Sequence, residues 1–125
     1  MAEPLSGLRV LCVDNDPDIL AGMEELLKRW QVEVTSAATV DQAVDGLASE
    51  PDVLLVDYHL HDRFNGLQTL DLLRAARPGL VGALVTADGS DKLKQAAREH
   101  GYRVLTKPVK PASLRAFLAA QLRKR

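Results

Sequence analysis

The sequence predicts an α/β fold, a parallel sheet with helices on both faces, and three observations support that. Segments of strand character and segments of helical periodicity alternate strictly, five of each, along 125 residues, which is how a parallel sheet with crossover helices reads. The run Val53-Leu54-Leu55-Val56 is apolar at every position, as a strand covered on both faces must be. No repeat, low-complexity run or linker interrupts the chain, whose length suits one domain with a core of its own. We read residues 1–125 as a single domain with its core over about 7–123.

Residues 8–13 form the first strand. Asp16 is an N-cap and Pro17 fits the first helical position, after which Ile19, Leu20, Met23, Leu26, Leu27 and Trp30 keep helical spacing. Residues 32–36 alternate as a short strand. Thr39-Val-Asp-Gln42 has the pattern of a capping box, opening a helix through Ala43, Val44 and Leu47 that Pro51 ends. The apolar strand then runs to Asp57. Gly66 precedes a helix with Leu67, Leu70 and Leu73, stopped at Pro78-Gly79. Residues 80–86 are a strand, 90–100 a weakly apolar helix ended by Gly101, and 103–105 a short strand. Pro111 opens the last helix, through Leu114, Phe117, Leu118 and Leu122. The one long irregular stretch is 58–65, directly after Asp57, where a site loop is expected.

Composition removes several function classes. Hydrophobic residues make up 46%, too many for a disordered chain. A net charge of −1 gives no argument for a nucleic-acid or membrane surface, and the basic end at 123–125 suits a helix C-terminus. Cys12 is the sole cysteine, so an internal disulfide is excluded and a buried strand position is expected. No apolar stretch approaches a membrane span and no signal-peptide pattern is present. A cytoplasmic domain is therefore expected, and the short lead 1–4 reads as an end cut from a longer protein.

Ligands of an open parallel sheet bind outside the carboxyl ends of its strands. The strand ends here carry Asp14, Asn15 and Asp16, then Asp57, then Thr86, then Lys107. Carboxylates suit a hard divalent ion such as Mg²⁺, which needs few protein oxygens. A carboxylate can also accept a phosphoryl group, and a lysine and a hydroxyl would stabilise the charge on its oxygens. Each residue alone has a plainer reading: Asp16 as a helix cap, Thr86 as a strand-end filler, Lys107 as an exposed lysine. Five such features converging with Asp57 at one sheet edge are what point to a site.

The segments Val10-Leu-Cys-Val-Asp-Asn-Asp-Pro17, Leu84-Val-Thr-Ala87 and Leu105-Thr-Lys-Pro108, with the strand ending at Asp57, resemble the receiver domain of two-component response regulators over nearly the whole chain. The resemblance implies a flavodoxin-like sheet of order 2-1-3-4-5. It implies that Asp57 takes a phosphoryl group from a phosphohistidine, with Mg²⁺ required, in a reaction the domain itself promotes. It implies Thr86 and Lys107 in the reaction, Asp14 and Asn15 at the acidic pair, and the backbone carbonyl of His59 as a third metal ligand. The partner would be a histidine kinase or a histidine phosphotransfer domain. Cys-Val-Asp-Asn-Asp-Pro-Asp-Ile-Leu, Asp-Tyr-His-Leu and Lys-Pro-Val-Lys-Pro look most like the C-terminal receiver of a hybrid sensor histidine kinase, whose parent could be membrane-anchored, with a stand-alone receiver as the other context.

Three departures stand out. Asn15 replaces the usual second acid, which removes one negative charge. The loop after Asp57 lacks the usual proline and is one residue longer before Gly66. It holds His59, His61 and Asp62, read as solvated residues in preference to a His-x-His metal site. Val104, three residues before Lys107, stands where many receivers have an aromatic, and Tyr102 is two positions off. Asn15 favours an alternative, a degenerate receiver that binds partners without phosphorylation. A flavodoxin-like cofactor binder lacks a phosphate loop after the first strand.

Overall fold

A computed structural model describes residues 3–123. The elements are β1 (Arg9–Val13), α1 (Pro17–Arg29), β2 (Glu33–Ala37), α2 (Val40–Gly46) with a 3-10 turn (Leu47–Ser49), β3 (Val53–Asp57), α3 (Gly66–Ala76), β4 (Val81–Thr86), α4 (Asp91–Glu99), β5 (Arg103–Thr106) and α5 (Pro111–Arg123). All four strand pairings are parallel, and the sheet order is β2-β1-β3-β4-β5. This is the α/β architecture and flavodoxin-like order expected. Lys124 and Arg125, of the basic end, lie outside the described residues.

Local chemistry sets the helix ends. The Asp16 carboxylate accepts from the Asp18 N–H at 2.9 Å, with Pro17 in the first turn. Ser90 caps α4 through the Leu93 N–H at 3.2 Å. At α3 the cap is Asn65: its side chain accepts from the Gln68 N–H and the Gln68 side chain accepts from the Asn65 N–H, both at 2.9 Å. At α2, Thr39 accepts from the Gln42 N–H at 3.1 Å, but Gln42 reaches back to the Ala38 N–H at 2.8 Å. The box expected there closes one residue early. That helix is also shorter than expected, ending at Gly46 and tightening into the 3-10 turn. Gly46 lies over β1, where a Cβ would come within 2.8 Å of Leu11 Cδ1.

Period-two alternation divides the core. Val53 and Leu55 face the layer of α1 and α5 with Leu27, Leu114 and Phe117. Leu54 and Val56 face the layer of α2, α3 and α4 with Ala43, Leu70 and Leu93. All five residues of β3 are buried, so it is the central strand its composition called for. Cys12 is 3% exposed, and burial pushes its thiol up to about 12, an inert core residue as expected. Among the described residues no helix is long and apolar enough to cross a membrane.

Candidate functional site

The strand order reverses at β1, with β2 on one side and β3 on the other, which opens a crevice at the carboxyl ends of β1 and β3, and four strand ends deliver side chains to it. Asp14 follows β1 and is 5% exposed; Asp57 ends β3 and is 6% exposed. The Lys107 ammonium lies between them, 3.2 Å from Asp14 Oδ2 and 3.0 Å from Asp57 Oδ1. Thr86, at the end of β4, is fully buried. Its hydroxyl oxygen accepts from the Asp88 N–H at 3.0 Å, and its carbonyl accepts from the Lys107 N–H at 2.8 Å. The bond from Lys107 to Pro108 is cis. Asp14, Asp57 and Lys107 therefore meet directly, with Thr86 tied to Lys107 through the backbone.

The electrostatics follow from burial. Taking Asp57 out of water raises its carboxyl above the usual carboxylate range, and the neighbouring Asp14 charge adds to this, while Lys107 pulls the other way without cancelling it. Burial alone would lower Lys107, but hydrogen bonds to Asp57 and Asp14 outweigh it and leave the ammonium raised. Two carboxylates held 3.0 and 3.2 Å from one ammonium leave the cluster one negative charge in excess, before any cation arrives.

Asn15 is exposed between Asp14 and Asp16. Asp16 is committed to the cap, and its own N–H donates to Asp14 Oδ1 at 2.9 Å. The carboxylate oxygens of Asp14 and Asp57 could hold a hard cation, with the Asn15 amide and the His59 carbonyl as the further ligands expected from the sequence. That all-oxygen set fits Mg²⁺ in kind. Among the described residues no three His, Cys, Asp or Glu side chains gather into a metal site. The His59 ring is exposed and meets Tyr58 edge-on with 4.9 Å between centroids.

The loop 58–65 is better anchored than its composition suggested. Leu60 is 3% exposed in the core. Asp62, expected as a solvated acid, is exposed but accepts from the Val40 N–H at 3.0 Å and the Arg63 N–H at 2.7 Å. Arg63 reaches Asp41 at 2.8 Å. Gly66 closes the loop by donating to the Tyr58 carbonyl at 2.8 Å. A Cβ at Gly66 would stand 2.2 Å from the Asp57 carbonyl oxygen, so no side chain fits there. Sequence reasoning noted Gly66 but not this close approach, which depends on a contact nine positions back.

Val104 is half-buried on β5. Tyr102 is 4% exposed and donates its hydroxyl hydrogen to Asp71 Oδ1 at 2.7 Å. The Arg74 guanidinium lies 4.5 Å from the ring centroid. The aromatic nearest the expected position is thus held by α3. Beside Lys107 an apolar groove of about 530 Å³ runs between α1 and the β5–α5 connection, lined by Ile19, Gly22, Met23, Leu26, Pro108 and Val109 among others.

The family model described as the response regulator receiver domain matches residues 10–119. Response regulator protein PilR of Pseudomonas aeruginosa is 37% identical over 123 residues, which cover 97% of this chain and 27% of PilR. Transcriptional regulatory protein CpxR of Escherichia coli is 32% identical over 117 residues, covering 93% of this chain and 50% of CpxR. The chain thus spans half or less of these relatives. Among solved structures, the signal receiver domain of an HD domain-containing protein from Pseudomonas fluorescens superposes with a TM-score of 0.83 at 29% identity, covering 94% of this chain and 88% of that one. The receiver domain of NtrX from Brucella abortus has the same fold, with a TM-score of 0.84 at 24% identity over 93% of this chain and 99% of that one. With Asp14, Asp57, Thr86 and Lys107 gathered at one sheet edge and the match running through nearly every element, the chain belongs to the response regulator receiver domain family.

Proposed function

We propose that Asp57 is the phosphoacceptor, taking a phosphoryl group from a phosphohistidine in two-component or phosphorelay signalling. The observation that carries this reading is the Lys107 ammonium 3.0 Å from Asp57 and 3.2 Å from Asp14, at the carboxyl edge of the sheet. An Asp57 oxygen forms the new bond to phosphorus as the phosphorus–nitrogen bond breaks and the imidazole leaves. Thr86 and Lys107 stabilise the charge on the phosphoryl oxygens. Asp14, Asp57, Asn15 and the His59 carbonyl would hold Mg²⁺, which neutralises charge on the transferring group. Incubation with acetyl phosphate and Mg²⁺, read by intact mass, should add one phosphoryl group, and chelating the metal should prevent it. No gain under these conditions would favour the second reading, a phosphorylation-independent binding module, to which Asn15 lends support.

Asn15→Asp should tighten Mg²⁺ binding. One added charge beside a divalent ion at a partly exposed site is worth on the order of a kcal/mol, several-fold in Kd. Trp30 is no reporter for this, because it caps the far end of α1, about 20 Å along the helix from the site. Calorimetric titration is the suitable readout, and unchanged or weaker binding would show that the missing charge is already supplied.

The groove beside Lys107 supports a histidine kinase or phosphotransfer domain docking along α1, where Ile19 is 36% exposed. Gly22 sits inside α1, and a Cβ there would meet nothing within 4 Å. Gly22→Ala should therefore raise stability by about 0.5–1 kcal/mol in a denaturant melt. Gly22→Leu should slow phosphotransfer from purified phosphohistidine domains while leaving labelling by acetyl phosphate intact; equal slowing of both would remove the groove from the docking surface. The parent favoured by the motifs around Asp14, Asp57 and Lys107 is a hybrid kinase, and the mass of the native protein on an immunoblot separates that context from a stand-alone receiver.

A further inference from the structure

The loop that leaves Asp57 is tied to α2 by charge. Asp62 Oδ2 accepts from Val40 N–H, the first residue of that helix, at 3.0 Å, and the neighbouring Arg63 pairs with Asp41 at 2.8 Å. α2 has only seven residues. A helix that short does not persist by its own propensity, so its order comes from caps and packing. Its inner side is well packed, with Val40 and Ala43 fully buried. Thr39 satisfies the Gln42 N–H and Asp62 satisfies the Val40 N–H. The second of these comes from the site loop, not from α2's own approach segment.

The two ends of the sheet differ in this respect. At the β5 edge, Asp71 of α3 binds Tyr102 through Oδ1 at 2.7 Å and His100 through Oδ2 at 2.8 Å, while Arg74 donates to the His100 carbonyl at 2.7 Å and covers the Tyr102 ring at 4.5 Å. That network ties the end of α4 and the start of β5 to α3 through groups that do not touch the site loop. Of the two ties between the site loop and α2, the Arg63–Asp41 pair is exposed, with side chains 50% and 79% exposed, and the Asp62–Val40 bond is partly buried. An exposed ion pair holds weakly, so Arg63 can leave Asp41 at little cost, and the single Asp62–Val40 bond is then what joins the loop to the helix.

We infer that Asp62 is a positioning residue coupling the site loop to the first turn of α2, so that occupancy of Asp57 changes the order of α2 before that of the pinned α4–β5 junction. A group bound at Asp57 engages residues at the root of the loop, and Leu60 in the core limits movement inward. The exposed arm carrying Asp62 and Arg63 takes up the displacement, and α2 gains or loses its first-turn cap. The Val40 amide is also the first cause, and the Arg63 amide the second, of an Asp62 carboxyl held below its usual range.

This rests on the phosphoacceptor reading, and amide exchange on the full chain with Mg²⁺, with and without beryllofluoride, keeps the two apart. In the parent, beryllofluoride should alter exchange over residues 39–46 as well as 58–65. In Asp62→Ala, resting α2 should exchange several-fold faster and lose its response to beryllofluoride, while the turn after Thr86 still responds. Asp62→Asn, which keeps an oxygen for the Val40 N–H, should restore much of the parent pattern. Unchanged α2 exchange in Asp62→Ala, or a parent response confined to α4, β5 and α5, would overturn the coupling even though the site binds. Absence of any response, the Thr86 turn included, would reject the phosphoacceptor reading and the coupling with it.

Discussion

Asp57→Asn should take up no phosphoryl group from acetyl phosphate and Mg²⁺, and should melt at a higher temperature than the parent. The first effect is complete because the amide offers no carboxylate to form the acyl phosphate, and no other acid ends the central strand. The second follows from the raised Asp57 carboxyl, whose main cause is burial, with Asp14 adding to it. A folded-state pKa above the unfolded one means that the folded protein binds the proton more tightly. The stability of the parent therefore falls as pH rises from the ordinary carboxylate value through the raised one, and stays lower at neutral pH. Asparagine resembles the protonated acid and avoids that loss. The two proteins should converge in stability below both values and separate above them. Stoichiometric labelling of the variant would reject Asp57 as acceptor, and a lower melting temperature at neutral pH would mean that the Lys107 contact outweighs burial.

Lys107→Ala should fold, bind Mg²⁺ more tightly, and lose most of its response to phosphorylation. The ammonium holds two nearly buried carboxylates at 3.0 and 3.2 Å. Removing it leaves like charges facing each other, which destabilises by roughly 1–3 kcal/mol at a site only partly open to water. A divalent cation restores the counter-charge, so the loss should shrink in Mg²⁺ and the metal should bind without displacing a lysine. The raised Lys107 ammonium sets the pH window for the parent. Its stabilisation is present at neutral pH and is lost as pH rises from the ordinary lysine value through the raised one. Thermal melts from neutral to alkaline pH, with and without Mg²⁺, read both effects. An unaltered metal affinity together with a full beryllofluoride response in amide exchange would remove Lys107 from the mechanism.

What the sequence made legible was whatever is encoded locally. The run Val53-Leu54-Leu55-Val56 is apolar because β3 is covered on both faces, and Asp16-Pro17 announces the start of α1 through a cap and a fixed φ. The acids, hydroxyl and lysine could be assembled without coordinates because parallel strands bring their carboxyl ends to one edge. Other features depend on distant partners. Nothing near Tyr102 indicates Asp71, 31 positions earlier, and nothing near Asp62 indicates Val40, 22 positions earlier. The close approach of Gly46 to Leu11 is likewise a tertiary contact. Asn65-x-x-Gln68, by contrast, is a capping pattern written locally, ahead of the helix that Gly66 opens.

The pair joining Lys107 to Asp14 spans 93 positions of the chain, which has a consequence for assembly. Closing a loop of that size carries an entropic cost before any contact repays it, and such non-local pairing slows folding. The cluster comes together only when β1, β3 and the last strand are all in place. A nascent or partly unfolded chain carries every one of these residues and still presents no pocket. Any ion or phosphoryl mimic that binds there recognises the native state alone and stabilises the whole domain by mass action, so the site can be addressed only after the domain has finished folding.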